Sequence, residues 1–150
     1  ARCFERVGEA LEAHGLVRYE VSNYGKPGAE SRHNLGYWRG RDYSGGGAGA
    51  LGTPGRPPHT APRPPPPPPP GRELTPEIRL RERIMLGLRL AEGFDLEGAA
   101  ASLGVDPWPK ERRRAAERLL RQGRLTIDGR RLRIPAEAWL FADGTAAALF

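Results

Sequence analysis

Arg124-Leu125-Thr126-Ile127-Asp128-Gly129-Arg130-Arg131-Leu132-Arg133-Ile134 is the stretch that decides the fold of the C-terminal half of this chain. Two short runs with apolar residues flank Asp128-Gly129, a residue pair that two-residue turns prefer because their central positions take positive φ angles. The stretch therefore predicts a β-hairpin. The segments before the hairpin determine which architecture it completes.

Three helices are predicted ahead of this hairpin. Thr75-Pro76-Glu77 supplies the N-cap residue, the N1 proline and the first-turn acid of a helix that we expect to run to about residue 91. Asp95 caps a second helix, and Asp106 with Pro107 opens a third that ends at Gly123. Three helices followed by a hairpin are typical of a winged-helix domain, which a last helical segment over residues 135–150 completes.

The third helix separates apolar from basic residues. A helical wheel gathers its apolar residues on one side, namely Trp108, Ala115, Ala116, Leu119 and Leu120, and places Lys110, Arg114, Arg118 and Arg121 on the other. Arg112 falls among the apolar residues and must therefore snorkel or form a pair.

The basic face of this helix suggests an alternative function, a winged-helix module that binds nucleic acid or protein. Arg114, Arg118 and Arg121 would then meet phosphates. Glu111 and Glu117 interrupt the basic face, and no Asn, Gln or Ser lies among its arginines to read base edges. These features argue against specific recognition of nucleic acid.

A proline-rich segment separates two folded parts. Residues 54–71 contain the unbroken run Pro64–Pro70. From this run we expect a polyproline II segment of about 3.1 Å per residue, a stiff rod of roughly 20 Å. A spacer between residues 1–53 and 72–150 is favoured over a ligand for an SH3 or WW domain.

The N-terminal part reads as an α/β unit. Phe4, Val7 and Leu11 recur at helical spacing, Gly15 stops the helix, and residues 16–21 read as a strand. In α/β sheets and barrels the ligand site lies beyond the carboxyl ends of the strands, so residues 22–25 stand where a site is expected.

Composition and charge limit the classes of protein to which this chain can belong. The 150 residues carry a net charge of +6, of which +5 belongs to residues 72–134. A single cysteine, Cys3, excludes an internal disulfide and indicates a reducing compartment. No apolar run is long enough for a membrane span, so we expect a cytoplasmic protein. The start at Ala1, without an initiator Met, suggests a segment of a longer protein.

The most unusual cluster of side chains is His33, Asn34, Tyr37 and Trp38, an imidazole, an amide, a phenol and an indole within six positions. Such residues can meet a flat aromatic ligand or a metal ion. They can equally form a core corner in which every polar tip has a backbone partner. The residues themselves leave both interpretations open, and no catalytic motif was found elsewhere in the chain.

Several stretches resemble a known family. The similarity is to the C-terminal half of the HemW family. It covers residues 19–28, 31–40 and 42–43, followed by a Gly-Ala run, and, beyond the spacer, residues 82–90 with 92–96. These proteins are radical SAM haem chaperones, also described as oxygen-independent coproporphyrinogen III oxidase-like. The resemblance implies that residues 1–53 are the C-terminal end of a partial TIM-like barrel and that residues 72–150 are the family's C-terminal domain.

The resemblance also implies a function and a set of site residues. It makes His33 the axial ligand of haem iron, lets Asn34 orient it, and places Tyr37 and Trp38 on or beside the porphyrin. The haem would be delivered to haem-requiring proteins.

Further cofactors of the family are S-adenosylmethionine, here matched by Gly25 and Leu51, and a 4Fe-4S cluster. The three cluster cysteines are absent from this chain, so it cannot cleave S-adenosylmethionine by itself. A remnant of a coproporphyrinogen oxidase-like enzyme is a further, disfavoured, alternative. Leu51 also departs from the family, which usually has His there.

Overall fold

The computed structural model describes residues 2–40 and 75–150. The N-terminal part contains α1 (Arg2–Glu12), β1 (Val17–Arg18), β2 (Tyr24–Gly25) and α2 (Arg32–Trp38). The C-terminal part contains α3 (Pro76–Gly87), α4 (Leu96–Leu103), α5 (Lys110–Arg121), β3 (Thr126–Asp128), β4 (Arg131–Arg133), a 3-10 helix (Ala136–Phe141) and α6 (Ala142–Ala147). This mixture of helices and strands confirms the α/β class. The polyproline spacer and Leu51 lie outside the described residues.

The predicted helix caps are present. The Thr75 hydroxyl accepts a hydrogen bond from the Ile78 amide at 3.3 Å, and an Asp95 carboxylate oxygen accepts one from the Gly98 amide at 2.8 Å. α3, α4 and α5 enclose a core that α6 and the 3-10 helix close. Its most deeply buried apolar residues are Leu80, Ile84, Leu88, Leu96, Ala100, Leu119, Leu125 and Leu149. Burial of these side chains, each worth about 1.5–3 kcal/mol for a leucine or isoleucine, drives folding of this part.

The predicted hairpin is confirmed. β3 and β4 pair antiparallel, with Ile127 opposite Leu132, and Gly129 in the turn has a φ of 58°. Leu132 is buried in the core and also forms a backbone bridge with Phe94, in which the amide of each residue donates to the carbonyl of the other at 2.8 and 2.9 Å. The hairpin is thereby joined to the loop between α3 and α4.

Two helices are shorter than predicted. α3 ends at Gly87 rather than near residue 91, because the Arg89 carbonyl and the Ala91 amide form hydrogen bonds with Val21 and Tyr19 instead of within the helix. The Phe94 ring packs so closely on Gly87 that an added Cβ would lie 2.2 Å from the ring. Residues beyond Gly87 leave the helix, and Leu90 forms a backbone bridge with Glu20. α5 begins only at Lys110, because Pro109 is its N-cap residue.

The side chain of Arg112 is buried and fully paired, as the wheel required. Its Nε donates to the Leu149 carbonyl at 2.7 Å, its Nη1 reaches the carbonyls of Asp106 and Pro107, and its Nη2 pairs with the Glu77 carboxylate. The wheel was wrong for Leu120, which is 36% exposed because it lies at the edge of the buried face.

The N-terminal part is fastened to the C-terminal part by backbone hydrogen bonds. The predicted strand over residues 16–21 is reduced to β1, whose two residues pair antiparallel with β2. Beyond β1 the chain bridges to the end of α3: the Val21 amide donates to the Arg89 carbonyl at 3.1 Å, and the Ala91 amide donates to the Tyr19 carbonyl at 3.0 Å. These bonds hold the segment that precedes α2 against the C-terminal domain.

Candidate functional site

α2 contains all four residues of the His-Asn-x-x-Tyr-Trp cluster. Ser31 is the N-cap residue of the helix, and its hydroxyl accepts a hydrogen bond from the Asn34 amide at 3.3 Å. It ends before Gly40, which has a φ of 66°, a conformation that glycine adopts without strain. The cluster therefore occupies one short, capped helix rather than an irregular corner.

Helical spacing divides the four residues into two pairs. His33 and Tyr37 are one turn apart and exposed, whereas Asn34 and Trp38 are one turn apart and half-buried. None of the four is fully buried, so the interpretation of the cluster as a core corner was wrong. One pair faces solvent and the other faces the rest of the protein.

Asn34 holds the first turn of α2. Its side-chain amide donates to the Tyr19 hydroxyl at 3.5 Å, a long hydrogen bond. The backbone of Tyr19 is fixed in turn, because its amide donates to the Asn23 carbonyl at 3.2 Å and its carbonyl accepts from Ala91. Asn34 thus connects α2 to the segment that bridges to the C-terminal domain.

Trp38 holds the last turn of α2. The Arg89 guanidinium lies over the indole ring, 5.2 Å from its centroid, and also forms an ion pair with Asp143 of α6. The Tyr37 ring meets the Trp38 ring edge to face, with centroids 4.9 Å apart and planes at 75°. Through Trp38, the orientation of Tyr37 depends on the C-terminal domain.

A two-pronged ion pair follows the helix. The Nε and Nη2 atoms of Arg39 donate to the two carboxylate oxygens of Glu92 at 3.0 and 3.1 Å. Hydrogen bonding to Glu92 raises the pKa of Arg39 above its ordinary value. Arg131 of the hairpin approaches the same carboxylate at 3.9 Å. Glu92 therefore joins the C-terminal end of α2 to the hairpin.

Tyr19, Arg89 and Glu92 are residues of the site that sequence reasoning missed. All three stand inside the stretches that carry the family resemblance, but nothing in the local pattern gave them a role. Arg39 and Glu92 are 53 positions apart, so only the folded chain shows that they meet.

The imidazole of His33 is exposed, and within residues 2–40 and 75–150 no protein group hydrogen-bonds to it. His14 differs, because its Nδ1 lies 2.7 Å from the Ala10 carbonyl oxygen. A neutral imidazole with an available ring nitrogen suits an iron ion.

A cleft among the described residues lies away from α2. It has a volume of about 490 Å³ between α1 and the 3-10 helix, with Phe4, Arg18, Ile134 and Trp139 among its lining residues. None of the four cluster residues lines it. The lining of the cleft presents no imidazole.

Gly25, the described member of the S-adenosylmethionine pair, lies in β2 next to Tyr19. An added Cβ would lie 3.5 Å from the Ala29 carbonyl oxygen and 3.6 Å from the Tyr19 ring, which are ordinary contacts. Internal packing therefore does not require a glycine at this position.

The described residues do not fit an iron–sulfur cluster. They contain no group of three or more His, Cys, Asp or Glu side chains arranged to hold a metal ion, and Cys3 is exposed. Within the same residues, none of the helices has the length and hydrophobicity needed to cross a membrane.

Comparison with known proteins gives a consistent result. The family model described as the HemN C-terminal domain matches residues 74–141. "Heme chaperone HemW" of Mycobacterium tuberculosis (strain H37Rv) is 35% identical over 163 aligned positions, which cover 99% of this chain and 39% of that protein. "Heme chaperone HemW" of Bacillus subtilis (strain 168) is 36% identical over 115 residues, which cover 69% of this chain and 30% of that protein.

A eukaryotic relative matches a shorter part. "Radical S-adenosyl methionine domain-containing protein 1, mitochondrial" of Danio rerio is 55% identical over 42 residues, 28% of this chain and 10% of that protein. No solved structure matches the chain significantly. The chain spans 30% and 39% of the lengths of the Bacillus and Mycobacterium proteins. On these matches the chain belongs to the HemW family, to whose C-terminal portion it is similar.

Proposed function

We propose that this chain binds haem as a cargo and that His33 is the axial ligand of the haem iron. The observation that carries the proposal is the exposed His33 imidazole, to which no protein group hydrogen-bonds within the described residues. Asn34 and Trp38, on the other side of the same helix, connect α2 to the C-terminal domain. The relatives named heme chaperones support haem as the ligand.

The other three residues of α2 have distinct roles in this proposal. Tyr37, one turn from His33 and also exposed, packs beside the porphyrin. The Trp38 ring packs nearly perpendicular to the Tyr37 ring, while Arg89 occupies one face of its indole ring. Asn34 orients the helix, and thereby His33, through its hydrogen bond to Tyr19.

The chain then delivers haem to haem-requiring proteins in the cytoplasm. We also propose that residues 1–53 are the end of a radical SAM barrel, that 54–71 are a spacer and that 72–150 form a winged-helix-like domain. The order of three helices and a hairpin supports the last assignment. In a protein with the complete barrel, Gly25 and Leu51 contact S-adenosylmethionine; the residues of this chain do not supply the 4Fe-4S cluster.

A haem titration followed by the Soret band tests the proposal. We expect the spectrum of a histidine-ligated haem to form with the wild-type chain and with His14→Ala, and to be lost with His33→Ala. His14 is a matched control because it is also an exposed histidine. His59→Ala controls for the only other histidine in the sequence. An unchanged spectrum with His33→Ala would remove His33 as the ligand.

A further inference from the structure

The exposed face of α5 carries positive charge that the described residues do not neutralise. Within residues 2–40 and 75–150, none of its five cationic side chains, Lys110, Arg113, Arg114, Arg118 and Arg121, lies within ion-pair distance of a carboxylate. The arginines that do form ion pairs with Asp or Glu are Arg39, Arg81, Arg89, Arg112, Arg130, Arg131 and Arg133. Other described cations also lack an ion pair, but α5 carries five of them within its 12 residues.

The helical geometry of α5 places these cations on one side of the helix. The buried side of the helix consists of Arg112, Ala115, Ala116 and Leu119. At about 100° per residue, the five cations fall within an arc of roughly 140° on the opposite side. The helix is fixed by its buried side, so the cations are presented on a rigid element.

The composition of the surface favours a protein over a nucleic acid. Glu117 lies inside the arc and Glu111 at its edge, so the face carries mixed charge, which suits the discrete side chains of a protein better than the uniform phosphate charge of a nucleic acid. Leu120, 36% exposed, borders the arc and offers an apolar contact. α5 contains no Asn, Gln or Ser that would read base edges.

We propose that this surface, the α5 basic face, is a docking site for the acidic surface of a partner protein. Charge complementarity of this kind accelerates association and selects the partner, and the arginines provide forked donors that match carboxylates. The proposal does not depend on haem binding, because the α5 basic face contains none of the α2 residues.

Fluorescence anisotropy with a labelled helical peptide of Glu, Ala and Leu tests the proposal. Replacing Arg114, Arg118 and Arg121 together by Glu should weaken binding by at least about tenfold. The control variant, with Glu at Arg2, Arg6 and Arg79, has the same net charge, and its binding should stay within about twofold of the wild-type value. A second variant with Gln at positions 114, 118 and 121 keeps the test valid if the Glu variant fails to fold; it should also weaken binding.

Three results would overturn the proposal. One is absence of peptide binding by the wild-type chain at low salt. A second is equal weakening in the control variant, which would indicate attraction by net charge alone. A third is tighter binding of a DNA duplex than of the peptide, together with weaker DNA binding by the variants at Arg114, Arg118 and Arg121. That result would make the α5 basic face a nucleic-acid surface.

Discussion

Replacing Glu92 by Gln should loosen α2 and weaken haem binding without unfolding the C-terminal domain. Glu92 accepts both hydrogen bonds from Arg39, at 3.0 and 3.1 Å, and it is also approached by Arg131. Glutamine has nearly the same shape but only one acceptor oxygen and no charge, so the two-pronged pair is lost while the packing remains.

The size of the effect follows from the exposure of the pair. The two side chains are 41% and 40% exposed, so solvent screens the interaction. Exposed ion pairs contribute about 0.2–1 kcal/mol, and the forked geometry places this one near the upper end. A loss of about 1 kcal/mol changes an equilibrium constant roughly fivefold, so we expect the haem dissociation constant to rise about two- to fivefold.

The assay is a haem titration at low and high salt, with thermal unfolding measured in parallel. The difference between the wild-type chain and Glu92→Gln should shrink in about 1 M salt, because salt screens the wild-type ion pair. Glu82→Gln is the matched control, since Glu82 is an exposed residue of α3 that forms no ion pair within the described residues. Equal haem affinity of Glu92→Gln and wild type at low salt would refute the role of this pair.

Three further substitutions test the fold. Arg112→Ala should lower the free energy of unfolding in urea by about 3–5 kcal/mol, because it removes the buried partner of Glu77 and leaves three carbonyls without a donor. A change below about 1 kcal/mol would contradict the buried pairing. Gly87→Ala should cost about 1–3 kcal/mol, because the added Cβ collides with the Phe94 ring, and an unchanged unfolding midpoint would refute that contact. Ile84→Ala should cost about 2–5 kcal/mol through the cavity that it leaves, whereas an effect typical of a surface residue would place Ile84 outside the core.

Local sequence signals were sufficient where local chemistry decides the structure. Asp128-Gly129 predicted the hairpin turn, and Thr75 and Asp95 predicted the starts of α3 and α4, because turn conformation and capping depend on adjacent residues. They failed where tertiary contacts decide. The backbone beyond Gly87 pairs with Tyr19 and Val21, and no periodicity within α3 reports those hydrogen bonds.

The sequence predicted which residues belong to the candidate site, but not how they are arranged. The resemblance selected His33 and its neighbours, but the residues alone could not tell an exposed helix from a core corner. Ser31, three positions before Asn34, was an unused signal for a helix start. The connections through Tyr19, Arg89 and Glu92 join residues that are far apart in sequence, so they became visible only in the folded chain.

The identity of the iron ligand is the most direct test of haem binding through His33. Resonance Raman spectroscopy of the ferrous haem complex should give an iron–histidine stretching band that shifts when the histidines are labelled with ¹⁵N. The band should disappear in His33→Ala and persist in His14→Ala and His59→Ala. Persistence of the band in His33→Ala would contradict the proposal that the exposed imidazole on α2 holds the iron.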